Sequence, residues 1–337
     1  MCSRTVVAAI AAAAAVTAIA VAATVAGNSG GPQPGALSAL RAPAPPAPRY
    51  LVGLSHAGLT VYNAATGRRL GTIAPPSRKM HYISVAAAAP GHFVVAAVPT
   101  SVTCSVTRLY RLTLTRQGGL GRLAPLPGGR IGGMLMSPSL ALAASSGGRV
   151  IAYAASHCGN SQGWVGVIRP GTGQTRRWPL RSGGVFDLTL TPDGRTLYFN
   201  YSGNYGGDGT IRALPAGAPA GPVPSRARIA LPASSGVDAG DGIALADHGR
   251  ILLACREVQS TDVLLAYSAS TGHELAVLHT WRNIDEGSCT LSMASSGGYL
   301  LIPSIGTHPW RIRLSTGRAR QLPKIGAADD PVFPVAW

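Results

Sequence analysis

Residues 188–199 read LTLTPDGRTLYF, and the pattern of this segment predicts the architecture of the whole chain. Leu188 and Leu190 alternate with threonines, which is the period-two pattern of a half-buried β-strand. Residues 192–194, Pro-Asp-Gly, then predict a tight turn, because proline presets φ and glycine accepts a positive φ without a Cβ clash. Residues 197–199 resume as a second, apolar strand, so the segment is expected to form a β-hairpin.

The same kind of hairpin returns along the chain at intervals of roughly 50 residues, the range of β-propeller blades. Its turns fall at Pro90-Gly91, Ser146-Gly147-Gly148, Asp193-Gly194, His248-Gly249 and Ser296-Gly297-Gly298. A second series of turns, each a Thr-Gly pair that follows another strand, lies between them at Thr66-Gly67, Thr172-Gly173, Thr271-Gly272 and Thr316-Gly317. Two hairpins per interval give four strands, which is one propeller blade.

The number of blades follows from what remains at the two ends of the chain. Complete blades are predicted at residues 82–126, 133–181, 185–231, 241–281 and 288–323. Residues 50–74 offer three strands but lack a first one, whereas residues 331–337 offer one strand and then stop. Joined, the two ends complete a sixth blade and remove the open edges that a sheet would otherwise expose. The sequence therefore predicts an all-β fold, a six-bladed β-propeller closed by pairing of the N- and C-terminal strands.

These residues resemble the bacterial WD40-like propeller repeats of the TolB and YVTN type, in which a Pro-Asp-Gly turn precedes Leu-Tyr and a Thr-Gly hairpin follows. Residues 191–198 match this pattern closely, and the other blades keep parts of it. The resemblance covers most of residues 50–337 at the level of the repeat. It implies a fold rather than a function, because such propellers serve as scaffolds, binding modules and enzymes.

The composition agrees with this fold but says little about function. The chain has 337 residues, with 43 glycines, 26 prolines and only 12% charged residues, which suits an all-β protein rich in turns. Its net charge is +16, and only Lys79 and Lys324 among the 29 basic residues are lysines. This arginine-rich and alanine-rich usage resembles that of a high-GC bacterium such as an actinobacterium, so the charge alone is not interpreted as function.

The N-terminal region predicts export. Residues 5–26 are apolar apart from three threonines, and Arg4 precedes them. About 20 apolar residues suffice to span a bilayer, and a basic start with a small-residue exit also fits a signal peptide. We therefore expect residues 1–27 to be a hydrophobic helix, either a signal peptide or an uncleaved membrane anchor. Prolines mark residues 28–48 as a stiff linker, and the propeller is expected to occupy residues 49–337, outside the cytoplasm.

The exported part contains four cysteines, Cys104, Cys158, Cys255 and Cys289, besides Cys2 at the N-terminus. An even number of cysteines in an exported chain is typical of disulfides. In the predicted propeller, Cys104 and Cys158 fall on one face in neighbouring blades, and so do Cys255 and Cys289. We therefore predict the disulfides Cys104–Cys158 and Cys255–Cys289; a zinc site is the alternative, although no pair has Cys-x-x-Cys spacing.

Acidic residues are scarce, and several lie where the first strands of the blades begin. These positions converge at the mouth of the central channel of a propeller, a concave site of the kind that ligands occupy. The candidate ligand-binding residues there are Asp187, Asp241, Glu286, Asp330, His81 and His157. They could form a carboxylate-lined pocket for a cation or a cationic ligand. We favour the structural alternative, in which aspartates beside glycines cap turns and pair with nearby arginines.

Arginines follow the Thr-Gly turns, on the fourth strand of their blades: Arg68, Arg69, Arg176, Arg177, Arg318 and Arg320. The fourth strand is the outer edge of a blade, where charge blocks edge-to-edge aggregation. This structural explanation accounts for most of them. The functional alternative is attraction to anionic wall polymers or lipid headgroups. Nucleic acid is not expected as a partner, because no aromatic residues are interleaved with the basic ones.

No catalytic motif occurs in the structural context that it needs, so no catalytic residue, metal or cofactor is assigned. The sequence favours an exported, non-catalytic propeller, secreted or anchored, that serves as a monomeric binding or scaffold module at the bacterial cell surface. Its partner would be an unknown protein or cell-wall component, with membrane contact only through the N-terminal segment. The alternative is a propeller enzyme of the hydrolase or lactonase type, with a metal or cation held by carboxylates at the channel mouth.

Overall fold

The computed structural model of the chain describes residues 46–55, 57–100, 105–134, 141–156, 163–203, 209–237, 242–258, 261–282, 289–294, 297–303, 308–325 and 335–337. Over these residues the chain is an all-β, six-bladed propeller, because it forms six four-stranded sheets. The described ranges hold one α-helix of four residues, α1 (Val223–Arg226), and three short 3-10 turns. The predicted N-terminal helix and most of the linker fall in residues 1–45, outside the described residues.

Blades 1 to 3 consist of consecutive antiparallel strands, except that the last strand of the chain joins blade 1. Blade 1 contains β1 (Tyr50–Ser55), β2 (Gly58–Asn63), β3 (Arg69–Ile73) and β24 (Val335–Ala336). Blade 2 contains β4 (Met80–Ala89), β5 (His92–Pro99), β6 (Ser105–Leu114) and β7 (Leu120–Met134). Blade 3 contains β8 (Leu142–Ala144), β9 (Ile151–Ser156), β10 (Gly163–Arg169) and β11 (Gln174–Pro179).

Blades 4 to 6 follow the same plan, and each of them begins with its innermost strand. Blade 4 contains β12 (Gly184–Leu190), β13 (Thr196–Ser202), β14 (Thr210–Pro215) and β15 (Arg228–Leu231). Blade 5 contains β16 (Ile243–Ala246), β17 (Ile251–Val258), β18 (Thr261–Ser268) and β19 (Glu274–Arg282). Blade 6 contains β20 (Ser292–Met293), β21 (Tyr299–Ile302), β22 (Trp310–Arg313) and β23 (Arg318–Gln321).

The Pro-Asp-Gly turn between β12 and β13 is held by its own side chains. Thr191 Oγ1 accepts the N–H of Thr196 at 2.9 Å and donates to Asp193 Oδ1 at 2.7 Å. Asp193 Oδ1 also accepts the N–H of Arg195 at 2.9 Å. These bonds, the one from the Thr191 hydroxyl first, lower the pKa of Asp193. Gly194 has φ +73°, which residues with a Cβ rarely adopt. The turn therefore confirms the hairpin predicted from residues 188–199.

The Thr-Gly turns between third and fourth strands share one geometry. The threonine Oγ1 accepts the N–H of the residue two positions later at 3.3–3.4 Å, in the turns of Thr66, Thr172, Thr271 and Thr316. The glycines that follow all have φ between +64° and +74°: Gly67, Gly173, Gly272 and Gly317. A side chain at Gly272 would clash with the carbonyl oxygen of Ala230 in the preceding blade. Glycine therefore permits both the turn and the close packing of neighbouring blades.

Blade 2 departs from its predicted limits. Its outer strand β7 continues to Met134, whereas the sequence predicts an end at residue 126 and a start of blade 3 at residue 133. The segment 127–133 is rich in glycine, which is typical of a turn, but it continues as strand and buries Ile131 against blade 3. A side chain at Gly128 would lie 2.9 Å from the carbonyl oxygen of Gly173, so glycine here serves close packing rather than a chain reversal.

The hydrophobic core lies between the faces of adjacent blades. Trp178 of blade 3, for example, is completely buried with Leu197 and Phe199 of blade 4. Its indole N–H donates to the carbonyl oxygen of Pro219 at 3.1 Å, so the polar atom is also satisfied. Burying a large apolar side chain of this kind contributes about 1.5–3 kcal/mol. Each blade is thus stabilised chiefly by its two neighbours.

The last strand of the chain lies beside the first. Val52 of β1 is opposite Ala336 of β24, and Gly53 is opposite Val335. The indole N–H of Trp337 donates to the carbonyl oxygen of Ser292 in blade 6 at 3.2 Å. The same ring meets Tyr299 edge-on, with a centroid distance of 6.4 Å.

Candidate functional site

The channel mouth is formed where the innermost strands of the blades begin: β4, β8, β12, β16, β20 and β24. Each of these strands contacts the innermost strand of the next blade. Two of the predicted ligand-binding residues, Asp187 and His81, can be placed there. The other four, Asp241, Glu286, Asp330 and His157, lie outside the described residues, as do Cys104 and Cys158 of the first predicted disulfide.

Asp187 connects blade 4 to blade 5. It is the fourth residue of β12, and its carboxylate is half-buried at the side that faces blade 5. Oδ1 accepts the N–H of Leu188 at 2.8 Å, whereas Oδ2 accepts the N–H of Ile243, the first residue of β16, at 2.8 Å. The two oxygens therefore serve backbone groups of two blades. This arrangement agrees with the structural interpretation of the aspartate, since its hydrogen bonds satisfy main-chain donors.

Burial changes the acidity of Asp187. Loss of solvation raises its pKa from 3.8 to about 7, although the N–H groups of Ile243 and Leu188 act in the opposite direction by stabilising the anion. The carboxyl group therefore titrates near neutral pH. Its two hydrogen bonds from backbone donors are strongest when it is ionised.

His81 and Asp187 are not neighbours. His81 is the second residue of β4 in blade 2, opposite Val98, and its side chain is exposed. Blade 3 lies between the two residues along the chain and in the order of the inner strands. The described residues thus place the two candidates in the same region of the propeller but on blades that are not adjacent.

Phe186 is a mouth residue that sequence reasoning misses. A β-bulge between Val185 and Asp187 shifts the register of β12 and β13 at Phe186. Its ring is 37% exposed, whereas most large apolar side chains of the described residues are buried. The alternation of residues 184–190 gives no signal for this bulge. An exposed aromatic ring is a common contact residue for partners.

A disulfide joins Cys255 of β17 in blade 5 to Cys289, which precedes β20 of blade 6. This is one of the two predicted pairs, and the blade arrangement places the two Cα atoms 6.0 Å apart. Both cysteines are buried, in a core that also contains Trp281 and Leu300. The bond therefore links two adjacent blades at the channel mouth.

Gly242 adds a second connection at the same junction. Its N–H donates to the carbonyl oxygen of Cys289 at 2.6 Å, across the gap between blades 5 and 6. A Cβ at this position would lie 2.6 Å from that carbonyl oxygen and would also clash with the backbone of Leu291. Only a glycine fits this close approach of two backbones. Because the next residue is Ile243, which binds Asp187, a single dipeptide ties blade 5 to both of its neighbours.

The arginines of the outer strands lie where they are predicted, with one exception. Arg68 precedes β3, whereas Arg69, Arg176, Arg177, Arg318 and Arg320 belong to fourth strands. In blade 3 these side chains have structural partners. Arg176 donates to the carbonyl oxygen of Ala218 at 2.8 Å, and Arg177 donates to the Tyr153 hydroxyl at 3.1 Å while its guanidinium lies 5.4 Å from the ring centroid of Trp164.

Two negative findings concern the described ranges. No three side chains of His, Cys, Asp or Glu among these residues are grouped closely enough to bind a metal ion. Within the same ranges, no helix is both long enough and apolar enough to cross a membrane.

Comparison with protein-family models gives no match. Comparison with curated proteins gives none either. The fold, in contrast, has similar solved structures. TolB from Acinetobacter baumannii is similar with a TM-score of 0.55 and 15% identity over 86% of this chain and 65% of TolB. The chain therefore spans 65% of the length of that TolB structure, slightly less than two thirds.

Two other propellers are similar at lower scores. The periplasmic gluconolactonase PpgL of Pseudomonas aeruginosa has a TM-score of 0.47 and 16% identity, over 81% of each chain. The β-propeller domain of Cps50 (Swd1) from Myceliophteria thermophila has a TM-score of 0.45 and 18% identity, over 77% of this chain and 72% of the other. At these identities the likeness concerns the fold. The fold is a β-propeller, as in TolB, which agrees with the fold that the repeats of the sequence imply.

Proposed function

We propose that the chain is an exported, non-catalytic β-propeller that serves as a binding or scaffold module at the bacterial cell surface and contacts its partner at the channel mouth. The observation that carries this proposal is the pair of backbone hydrogen bonds that the Asp187 carboxylate accepts. Both of its oxygens accept backbone N–H groups, one of them from the next blade, so this carboxylate maintains the shape of the mouth. A channel mouth whose shape is maintained by Asp187 suits a binding surface that is formed before the partner binds.

Phe186 supplies the contact surface in this proposal. Its bulge displays the ring beside the fixed Asp187, and aromatic residues at the centre of an interface contribute a large share of binding energy. The alternative, a hydrolase or lactonase with a cation at the mouth, would need free carboxylates. Asp187 is engaged in the tie between blades, and no observation on the described residues favours this alternative.

A photo-crosslinking experiment tests the proposed contact. A benzophenone amino acid replaces Phe186 in the full chain, expressed in its bacterial host, and the matched control carries it at Ile229, which is 54% exposed on the outer strand of the same blade. We expect one discrete adduct from position 186 and none from position 229. Equal adducts from both positions, or none from either, would contradict binding at the mouth.

Export is supported by two observations. The disulfide between Cys255 and Cys289 is a bond that persists in oxidising compartments, and residues 5–26 predict a signal peptide or an anchor. Peptide mapping of the protein from its host, after alkylation without a reductant, is expected to recover Cys255 and Cys289 as one linked pair. Alkylation of both thiols would contradict export.

We also propose that the ring is closed by the last strand. The pairing of Val52 with Ala336 and the hydrogen bond from Trp337 to Ser292 support this, because they connect the C-terminus to blades 1 and 6. Replacement of the buried Trp337 by alanine is expected to cost about 3–5 kcal/mol of unfolding free energy. A loss below about 1 kcal/mol, the usual effect of a surface change, would argue against closure at this position.

A further inference from the structure

The outer hairpin of blade 6 carries four arginines on one face. In the pairing of β22 with β23, Arg311 is directly opposite Arg320 and Arg313 is directly opposite Arg318. Ile312 and Ala319 alternate with them and pack in the core between blades 5 and 6. Because side chains of a strand alternate between its two faces, all four guanidinium groups share the other face. We call these four residues the arginine quartet.

The quartet is an unfavourable arrangement within the chain itself. Directly opposite side chains on neighbouring strands have Cβ atoms about 4.5–5.5 Å apart, and like charges at such positions destabilise a sheet. The salt bridges of Arg195 with Asp193 and of Arg250 with Asp247 both lie in other blades. Arg313, Arg318 and Arg320 are exposed, and their guanidinium groups make no hydrogen bond or ion pair with another described residue.

Protection of a sheet edge does not explain the quartet. Charge is useful on an edge strand because it prevents pairing with another sheet. β23 is such an edge, which accounts for Arg318 and Arg320. β22, however, is paired on both sides, with β21 and β23, so Arg311 and Arg313 have no edge to protect.

The charge of the surrounding chain strengthens the positive electrostatic potential at the quartet. All 13 acidic residues follow position 186, and none occurs between residues 287 and 328. Blades 1 to 3 therefore have no carboxylate side chain, and neither does the described part of blade 6. The Thr-Gly turn of blade 1, which leads into Arg68 and Arg69, lies against Pro323 and Lys324 beside the end of β23. The described residues of blade 1 thus bring two more arginines to the turn beside the end of β23 and contain no acidic residue.

One member of the quartet is already positioned. The guanidinium of Arg311 lies 5.5 Å from the ring centroid of Tyr299, which is opposite Arg313 in the adjacent strand. The Tyr299 ring in turn rests against Trp337. An arginine stacked on an aromatic ring keeps its N–H fork free for an anion while losing part of its conformational freedom before binding.

From this geometry we propose that the arginine quartet is a binding site for a linear polyanion that bears phosphate groups. Residues two apart on a strand are about 7 Å from each other, so the quartet offers two cross-strand pairs in line. Guanidinium forks match phosphate oxygens, and the tetrahedral phosphate accepts from two arginines that approach from opposite strands. A planar carboxylate is satisfied by the two parallel N–H donors of a single guanidinium group. The site lies on the outer hairpin of blade 6, and it does not depend on the function proposed for the channel mouth.

The test uses the purified full chain and inorganic polyphosphate of defined length, with the dissociation constant measured by fluorescence anisotropy over a series of salt concentrations. The variant R313S/R318S removes one cross-strand pair. We expect its affinity to fall at least about tenfold at moderate salt, and the slope of log K against log salt to decrease by about 1.4, the value for two lost phosphate contacts with a flexible chain.

The matched control is R108S/R130S in blade 2. These two arginines are also exposed and directly opposite each other, between β6 and β7, and they too lie in blades without acidic residues. The control is expected to retain the affinity of the wild type within about twofold to threefold, the ordinary effect of net charge. An equal loss in both double variants would show that binding is spread over the basic surface, and would overturn the site.

Two more experiments test the chemistry of the ligand and the role of the guanidinium groups. Poly-glutamate, single-stranded DNA and vesicles with anionic lipid, at equal anionic charge, are expected to bind more weakly than polyphosphate; tighter binding of any of them would overturn the proposed occupant. R313K/R318K keeps the charge and the strand, so it covers the case in which the serine variant does not fold. A several-fold loss is expected from it, because lysine lacks the fork. Affinity equal to that of the wild type would refute recognition by guanidinium forks.

Discussion

The junction between blades 4 and 5 and the junction between blades 5 and 6 are adjacent at the channel mouth, yet different bonds hold them. At the first, Asp187 accepts the N–H of Ile243. At the second, a disulfide joins Cys255 to Cys289, and Gly242 donates to the carbonyl oxygen of Cys289. One junction therefore depends on the protonation of a carboxyl group, whereas the other depends on a covalent bond that is insensitive to pH.

The difference shows that blade 5 is held from both sides through two consecutive residues, Gly242 and Ile243. A change at one junction should therefore leave the other intact, and the two junctions should respond to different conditions. The junction of blades 5 and 6 should respond to loss of the disulfide, and that of blades 4 and 5 to pH.

Of the changes at these two junctions, loss of the disulfide is expected to have the largest effect. The bond closes a loop with a sequence separation of 34 residues, and loop entropy predicts a loss of about 3–4 kcal/mol in C255A/C289A. Chemical denaturation of the wild type and the variant at one pH measures it. The single variant C255A serves as the control, because it loses the same bond and should lose about as much as the double variant. Additive losses from the two single variants would contradict a shared bond.

Gly242→Ala is expected to come next. The added methyl group meets the backbone of Cys289 and Leu291, which cannot move independently of the disulfide. Overpacking of this kind costs about 1–3 kcal/mol. Gly71→Ala is the matched control, since nothing lies within 4 Å of a Cβ at position 71, and it should change the unfolding free energy by less than about 1 kcal/mol. A stable G242A protein would contradict the close approach of the two blades.

Asp187→Asn is expected to have a smaller effect that depends on pH. The pKa of Asp187 is about 7 in the folded protein and 3.8 without burial, so the folded state keeps its proton to higher pH than the unfolded state. The contribution of this group to stability is therefore fully present below pH 3.8 and is lost as pH rises through about 7. The full difference corresponds to about 4 kcal/mol, which the partial exposure of the side chain reduces.

We therefore expect D187N to be slightly less stable than the wild type near pH 4 and about 1–2 kcal/mol more stable at pH 8. D193N, in contrast, is expected to be less stable than the wild type at neutral pH. The pKa of Asp193 is lowered, so its contribution to stability is lost only as pH falls through the folded-state pKa. Denaturation curves from pH 2 to pH 8 test both variants. Parallel pH profiles of wild type and D187N would rule out a titrating tie between blades 4 and 5.

Much of the fold can be predicted from the sequence because the repeating units are local. The hairpin around Asp193 and Gly194 is set by residues within five positions of each other, as its hydrogen bonds show. The pairing of Cys255 with Cys289 could also be predicted, since the order of blades places both on one face. The four-strand repeat thus carries its information in short segments.

The site is less predictable, for physical reasons that differ between residues. Asp187 binds the N–H of Ile243, and a backbone donor 56 positions away has no signature in residue type. The bulge at Phe186 reverses the face of one residue within a regular alternation. The arginine quartet depends on strand register, because a slip of one residue between β22 and β23 would separate Arg311 from Arg320 and Arg313 from Arg318.

The most direct measurement of the tie at the channel mouth is the pH titration of the Ile243 amide by NMR. If Asp187 holds blade 5 through this N–H, the amide proton shift of Ile243 should follow the carboxyl group with a midpoint near pH 7, and the titration should vanish in D187N. The Gly242 amide, bound to a carbonyl oxygen, should move much less. An Ile243 amide that does not titrate, or that titrates near 3.8, would contradict a half-buried aspartate that joins blades 4 and 5.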